Sequence, residues 1–194
     1  MKVYAAKNGR ASESARAGSA GRATFILAHG AGAESKSEWI VSYAKALAKR
    51  GVRVVTFDFP RVRSVMGPLE DAYVAIVQKT HARFPNEPLS IGGKSMGGRV
   101  ASLIAAKYTL PISKLVFFGY PLHPPKKPEK RRDAHLPDVK QPMLFLHGTR
   151  DPFGSPAEMR ALCKKLGARM VLFEGQGHDV IGAEDEAAAF ILQR

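Results

Sequence analysis

The sequence predicts one three-layer α/β domain, a mostly parallel sheet of six to eight strands with helices on both faces. Three observations carry this expectation: short, nearly continuous apolar runs, longer segments of helical period between them, and helix-start and helix-stop residues at the junctions. The runs are Thr24 to Ala28, Val52 to Phe57, Leu89 to Gly92, Leu115 to Phe118, Met143 to Leu146 and Met170 to Phe173. They lack the polar–apolar alternation of a sheet with one wet face, as strands covered on both sides should.

Between the first two runs, Trp39, Ile40, Tyr43, Ala44, Leu47 and Ala48 recur at helical spacing, after a Ser35 to Glu38 capping box and before a terminating Gly51. Leu69, Tyr73, Ile76 and Val77 mark a second helix. Val100, Leu103 and Ile104 mark a third, opening directly after Gly97-Gly98. A fourth is punctuated by Ser155, Pro156, Glu158 and Gly167, and its inner face carries Met159, Leu162, Cys163 and Leu166, so Cys163 reads as core. Residues 183–192 close the domain. Residues 1–22, rich in Ala, Ser, Gly and Arg from residue 5 onward, read as an irregular lead-in with one edge strand at its start. Residues 121–141, rich in Pro and Lys, read as an extended or loosely ordered excursion over the surface and, at best, a minimal lid.

Composition bounds the function. With 194 residues, 45% of them hydrophobic, the chain can bury one sizeable core and is short for two, so residues 1–194 form one domain. The start, Met1 to Asn8, has no apolar run of signal-peptide length, and no stretch approaches the ~20 apolar residues that span a bilayer; a soluble cytoplasmic protein is expected. A single cysteine allows no internal disulfide, which fits a reducing compartment. A formal charge of +13, from 30 basic and 17 acidic residues, raises the question of a nucleic-acid or membrane partner. The basic residues are dispersed, however, with one local cluster at Lys126, Lys127, Lys130, Arg131 and Arg132 and no nucleic-acid-binding motif, so a solvated basic surface is the better reading.

The strongest chemical signal is Gly93-Lys94-Ser95-Met96-Gly97, a G-x-S-x-G pattern placed between a strand and a helix. So sharp a strand-to-helix turn needs small flanking residues, which Gly92, Gly93, Gly97 and Gly98 supply, and it holds a serine hydroxyl above the sheet edge. A serine hydroxyl is a weak nucleophile until a base takes its proton. In the chain order Ser, acid, His, the candidates are Asp151, just past the strand ending at Leu146, and His178, just past the strand ending at Phe173. Asp151 would orient the imidazole of His178, whose other nitrogen would accept the proton of Ser95. Asp58 follows an earlier strand, and Asp179 sits too close to His178 in sequence to reach round to its ring. Taken singly, Asp151 is a turn-forming aspartate and His178 a loop histidine; their joint placement favours the catalytic reading.

Acyl transfer also needs two donors for the oxyanion: the N–H of Met96, after the nucleophile, and one from the His29-Gly30-Ala31-Gly32 turn, with Ala31 the choice. His29 then shapes the loop and is at most a substrate contact, as are Lys94 and His123. A phosphate-binding loop is excluded, because G-x-x-x-x-G-K-S/T requires glycine where Pro88 stands. His123 and His135 lack the paired spacing of a zinc site, and no metal or organic cofactor is expected.

Four stretches carry a family resemblance: Leu27 to Gly32, Gly92 to Arg99, Gly119 to Pro124 and His147 to Gly154. From about residue 24 to the end the chain resembles the compact α/β-hydrolases related to the testis-expressed and NSL-complex hydrolase-like proteins. More distantly it is similar to dienelactone hydrolases, which carry cysteine where Ser95 stands. The resemblance implies an α/β-hydrolase fold, the same Ser95, Asp151 and His178 triad, and hydrolysis of a small-molecule carboxylic ester through an acyl-enzyme. Because some relatives serve in protein assemblies, it also implies an alternative, a non-catalytic hydrolase-like binding or scaffold protein. A minimal lid predicts an open, shallow site suited to small or flexible esters, and the Lys126 to Arg132 cluster could draw in anionic ones.

Overall fold

The computed structural model describes residues 1–5, 23–61 and 66–193. Among these residues seven strands form one sheet: β1 (Lys2–Tyr4), β2 (Thr24–Ala28), β3 (Arg53–Thr56), β4 (Leu89–Lys94), β5 (Lys114–Phe118), β6 (Met143–Gly148) and β7 (Arg169–Phe173). Their spatial order is β1-β3-β2-β4-β5-β6-β7. Only β1 runs antiparallel, pairing Val3 with Val55 of β3, and all other neighbours are parallel. The edge strand therefore lies at the very start of the lead-in; residues 6–22 of that lead-in lie outside the described residues.

The helices are α1 (Glu38–Lys49), α2 (Gly67–Arg83), α3 (Met96–Lys107), α4 (Pro156–Leu166) and α5 (Glu184–Leu192). Alternate side chains of each strand serve opposite layers. Ile26 and Ala28 of β2 pack in the layer of α2, α3 and α4, with Tyr73, Val100, Ile104, Met159 and Cys163. Phe25 and Leu27 pack in the layer of α1 and α5, with Ile40, Tyr43, Leu47 and Ile191. No helix among the described residues is long and apolar enough to cross a membrane.

Helix starts show where local pattern yields to longer-range chemistry. At α4 the reciprocal box is present: Ser155 Oγ accepts the Glu158 N–H at 3.3 Å, and Glu158 Oε2 accepts the Ser155 N–H at 2.9 Å. At α1 the expected Ser35–Glu38 box is not formed. The Ser35 N–H and hydroxyl instead donate to the carboxylate of Asp58, at 2.6 and 2.9 Å, and the helix begins after Ser37. A two-point contact with an ionised carboxylate outcompetes a local cap.

The segment between β5 and β6 differs from the loosely ordered excursion expected. It contains one 3₁₀ turn, Leu136–Asp138, and it buries Leu122, Leu136 and Val139 against the domain. Polar pins hold it as well: Tyr120 Oη donates to Arg132 O at 3.0 Å, the Arg132 N–H donates to Leu122 O at 2.8 Å, and His135 Nε2 lies 2.8 Å from Ser102 Oγ.

Candidate active site

The chain enters the sheet centre at β2, moves outward to β3, then crosses back to β4. Loops leaving β2 and β4 therefore diverge at a switch point, where open parallel sheets leave a crevice at strand C-terminal ends. Ser95 occupies that point alone between β4 and α3, with φ 50° and ψ −115°, a conformation that L-residues rarely adopt. Close backbone approach enforces the turn: a Cβ at Gly93 would lie 2.4 Å from Ala28 O, and one at Gly97 would lie 2.7 Å from the carbonyl oxygens of both Ala28 and His29. The Ser95 N–H is spent on Phe118 O at 2.9 Å.

The turn after β2 lies against this elbow, with the Cβ position of Gly30 3.6 Å from Ser95 Cβ. Ala31 and Met96 line the same cavity as Ser95. Met96 is the first residue of α3, so its N–H has no intrahelical acceptor. His29 is buried beside them, and both its nitrogens are used. Nδ1–H donates to Gly30 O at 2.8 Å, while Nε2 accepts the Phe59 N–H at 3.1 Å. That pair of hydrogen bonds holds the loop in place.

Asp151 and His178 meet at the same sheet edge from the loops after β6 and β7. His178 Nδ1–H donates to Asp151 Oδ2 at 2.8 Å, while Asp151 Oδ1 accepts the Phe153 N–H at 2.9 Å. Asp151 is thus a turn-forming aspartate and the histidine's partner at once. Its side chain is fully buried, with His147 Nδ1 3.6 Å from Oδ2. The His178 ring packs on Phe153, centroids 4.3 Å apart. Its Nε2 is shielded from solvent and makes no hydrogen bond, to Ser95 or to any other described residue. Phe153 lines the cavity together with Ser95, whereas His178 and Asp151 are not among the lining residues.

Two expected substrate contacts sit elsewhere. Lys94 Nζ pairs with Asp179 Oδ1 at 2.6 Å and lies 5.4 Å from the Trp39 ring centroid, tying the elbow to the loop of His178. His123 is buried outside the cavity lining, with Nδ1 2.9 Å from Pro124 O and Nε2 3.4 Å from Glu158 Oε2. Asp58 lines the cavity but is committed to Ser35, which holds its pKa below the ordinary carboxylate value. A second serine–histidine contact, Ser102 with His135, lacks the makings of a nucleophile. The fully buried hydroxyl donates to Arg99 O at 2.8 Å, so it accepts from the imidazole, whose pKa is lowered by burial and by Arg99.

The cavity has a volume of about 1110 Å³. Residues outside the expected triad and oxyanion donors help form it. Phe153 supports His178, and Arg99 and Arg132 line the wall. Arg99 was detectable in principle, because it falls one helical turn beyond the serine. Arg132 arrives from the far end of the Pro-rich segment and is the last member of the basic cluster expected to draw in anionic esters.

A sheet reversed at β2 and β4, with a strained serine at the reversal and an Asp–His pair on the same edge, defines the class as an α/β hydrolase. The sequence profile of the α/β-hydrolase domain matches residues 21–186, and the chain belongs to that family. Solved structures agree on the fold. A lidless α/β serine hydrolase from Xanthomonas campestris is 19% identical with a TM-score of 0.72, the match covering 97% of this chain and 84% of that one. A dienelactone hydrolase from Anabaena variabilis is 21% identical with a TM-score of 0.71, covering 89% and 84%. An α/β serine hydrolase homologue from Coxiella burnetii is 18% identical with a TM-score of 0.69, covering 88% and 83%.

Proposed function

We propose that the protein is a serine hydrolase of small or flexible carboxylic esters, working through an acyl-enzyme on Ser95. The observation that carries this reading is the Asp151–His178 hydrogen bond, which leaves a shielded, unpartnered Nε2 at the edge where the elbow presents Ser95. Ser95 Oγ attacks the ester carbonyl carbon as His178 Nε2 takes its proton. The oxyanion accepts hydrogen bonds from the N–H groups of Met96 and Ala31. The tetrahedral species collapses, the C–O bond to the alcohol breaks, and the imidazolium returns the proton to the leaving oxygen. Water, deprotonated by the same nitrogen, then attacks the acyl-enzyme, releasing the acid and restoring Ser95. Asp151 keeps Nδ1 protonated and stabilises the imidazolium. The serine–histidine hydrogen bond forms as substrate seats, as is common where the free enzyme's geometry is loose.

The test is hydrolysis of short p-nitrophenyl esters by the wild type and Ser95→Ala across pH, with fluorophosphonate labelling alongside. Activity and labelling are expected in the wild type and neither in the variant. A folded wild type that neither turns over nor labels refutes the enzyme reading. The binding or scaffold role implied by the resemblance to NSL-complex hydrolase-like proteins then replaces it.

A further inference from the structure

Charges on the cavity wall are mostly settled by partners. Glu34 is held by Lys36 at 2.9 Å and by Arg61 at 3.0 Å, Asp58 by Ser35, and nearby Asp133 by Arg131 at 2.5 Å. Arg99 and Arg132 both line the cavity, and neither has an ion-pair partner among the described residues. Arg99 Nε is shielded from solvent without an acceptor. The Arg132 backbone is pinned on both sides, to Leu122 O and by Tyr120 Oη, so its side chain starts from a fixed point. Burial first, then the neighbouring charge of Arg99, pulls the Arg132 guanidinium below its ordinary pKa. Two part-buried like charges without a counter-ion oppose folding, and a bound anion would relieve that opposition.

The geometry points to a carboxylate-binding site between Arg99 and Arg132, making the substrate a short ester that carries a carboxylate, such as the half-ester of a dicarboxylic acid. This rests on the reading of Ser95 as nucleophile. Arg99 N–H donates to Ser95 O at 3.1 Å, so Arg99 stands in the first turn of α3, directly after the serine that caps it. A guanidinium fork matches a carboxylate in shape as well as charge. The cationic attraction expected from the Lys126 to Arg132 cluster narrows to its last member: Lys126, Lys127 and Lys130 are exposed and do not line the cavity.

Binding and turnover test this separately. In Ser95→Ala, monomethyl glutarate should bind roughly 10–100-fold more tightly than dimethyl glutarate at low salt, read by calorimetry or ligand-observed NMR. Adding Arg99→Gln or Arg132→Gln should collapse that ratio. In the wild type, kcat/KM for mono-p-nitrophenyl glutarate should exceed that for its methyl ester by a similar factor. Equal affinity of the two glutarates in Ser95→Ala overturns the proposal without any need for the arginine variants to fold, and so does a preference that survives both substitutions. Turnover without anion preference removes this site and leaves the hydrolase reading intact. Anion preference without turnover of either ester does the reverse.

Discussion

Replacing Gly119 by alanine perturbs the His178 side of the site without deleting a reacting atom. Gly119 follows β5 with φ 60°, and a Cβ there would lie 2.6 Å from His178 O, 3.1 Å from Nδ1 and 3.3 Å from Cε1. The first distance is roughly 0.7 Å inside the ~3.3 Å at which carbon and carbonyl oxygen normally meet. Left-handed backbone costs an alanine about 1–2 kcal/mol, and relief of the clash must come from moving the His178 loop. Destabilisation of about 2 kcal/mol corresponds to a Tm lower by roughly 4–8 °C in a chain of this size. A displacement of the imidazole approaching 1 Å lowers kcat by on the order of 10²-fold. Gly167→Ala is the matched control: φ is 63°, nothing lies within 4 Å of its Cβ position, and it caps α4 far in sequence from the elbow. It should lose about 1–2 kcal/mol and keep its esterase rate. The assay is p-nitrophenyl acetate hydrolysis beside a thermal melt. Wild-type kcat in a folded Gly119→Ala protein would refute the argument that this contact seats His178.

Asp151→Asn should lower kcat by on the order of 10³–10⁴-fold while the protein stays folded, because an amide no longer favours the Nδ1–H form of His178; a loss under tenfold counts against the pairing. Glu158 is held at a pKa of about 2, chiefly by its hydrogen bonds to Ser155, against a reference value of 4.5. A carboxylate with a folded pKa below its unfolded one adds stability that is complete above the unfolded value and lost as pH falls toward the folded one. The stability gap between wild type and Glu158→Gln, about 1 kcal/mol at pH 7, should therefore shrink between pH 4.5 and 2 in denaturant titrations, and a constant gap would contradict the cap. Burial pushes the Cys163 thiol up to about 12, so a neutral-pH disulfide reagent should label it only on unfolding; prompt labelling of the native protein would contradict its placement in the core.

The layer architecture and the serine elbow were legible because their determinants are local. Buried parallel strands write continuous apolar runs, and the elbow needs glycines within two residues of Ser95. Asp151 and His178 could be named as candidates from chain order, since each lies just past a strand's C-terminal end. Their hydrogen bond joins residues 27 apart and was inferred only from role. Other assignments depended on what arrived from distant parts of the chain. Asp58 took Ser35 away from its helix cap, Asp179 paired with Lys94, and Glu158 with Pro124 engaged His123. Buried Tyr120, Leu122 and Leu136 ordered a Pro- and Lys-rich segment that composition marks as loose.

By itself, then, the sequence determined the sheet, the helices and the serine elbow, because backbone propensity and steric room act over a few residues. Tertiary structure decided which charges remain unpaired around that serine. Ion pairs form between whichever side chains the fold brings within a few ångströms, and the partners of Lys94 and Asp58, like the isolation of Arg99 and Arg132, exist only once the chain has closed.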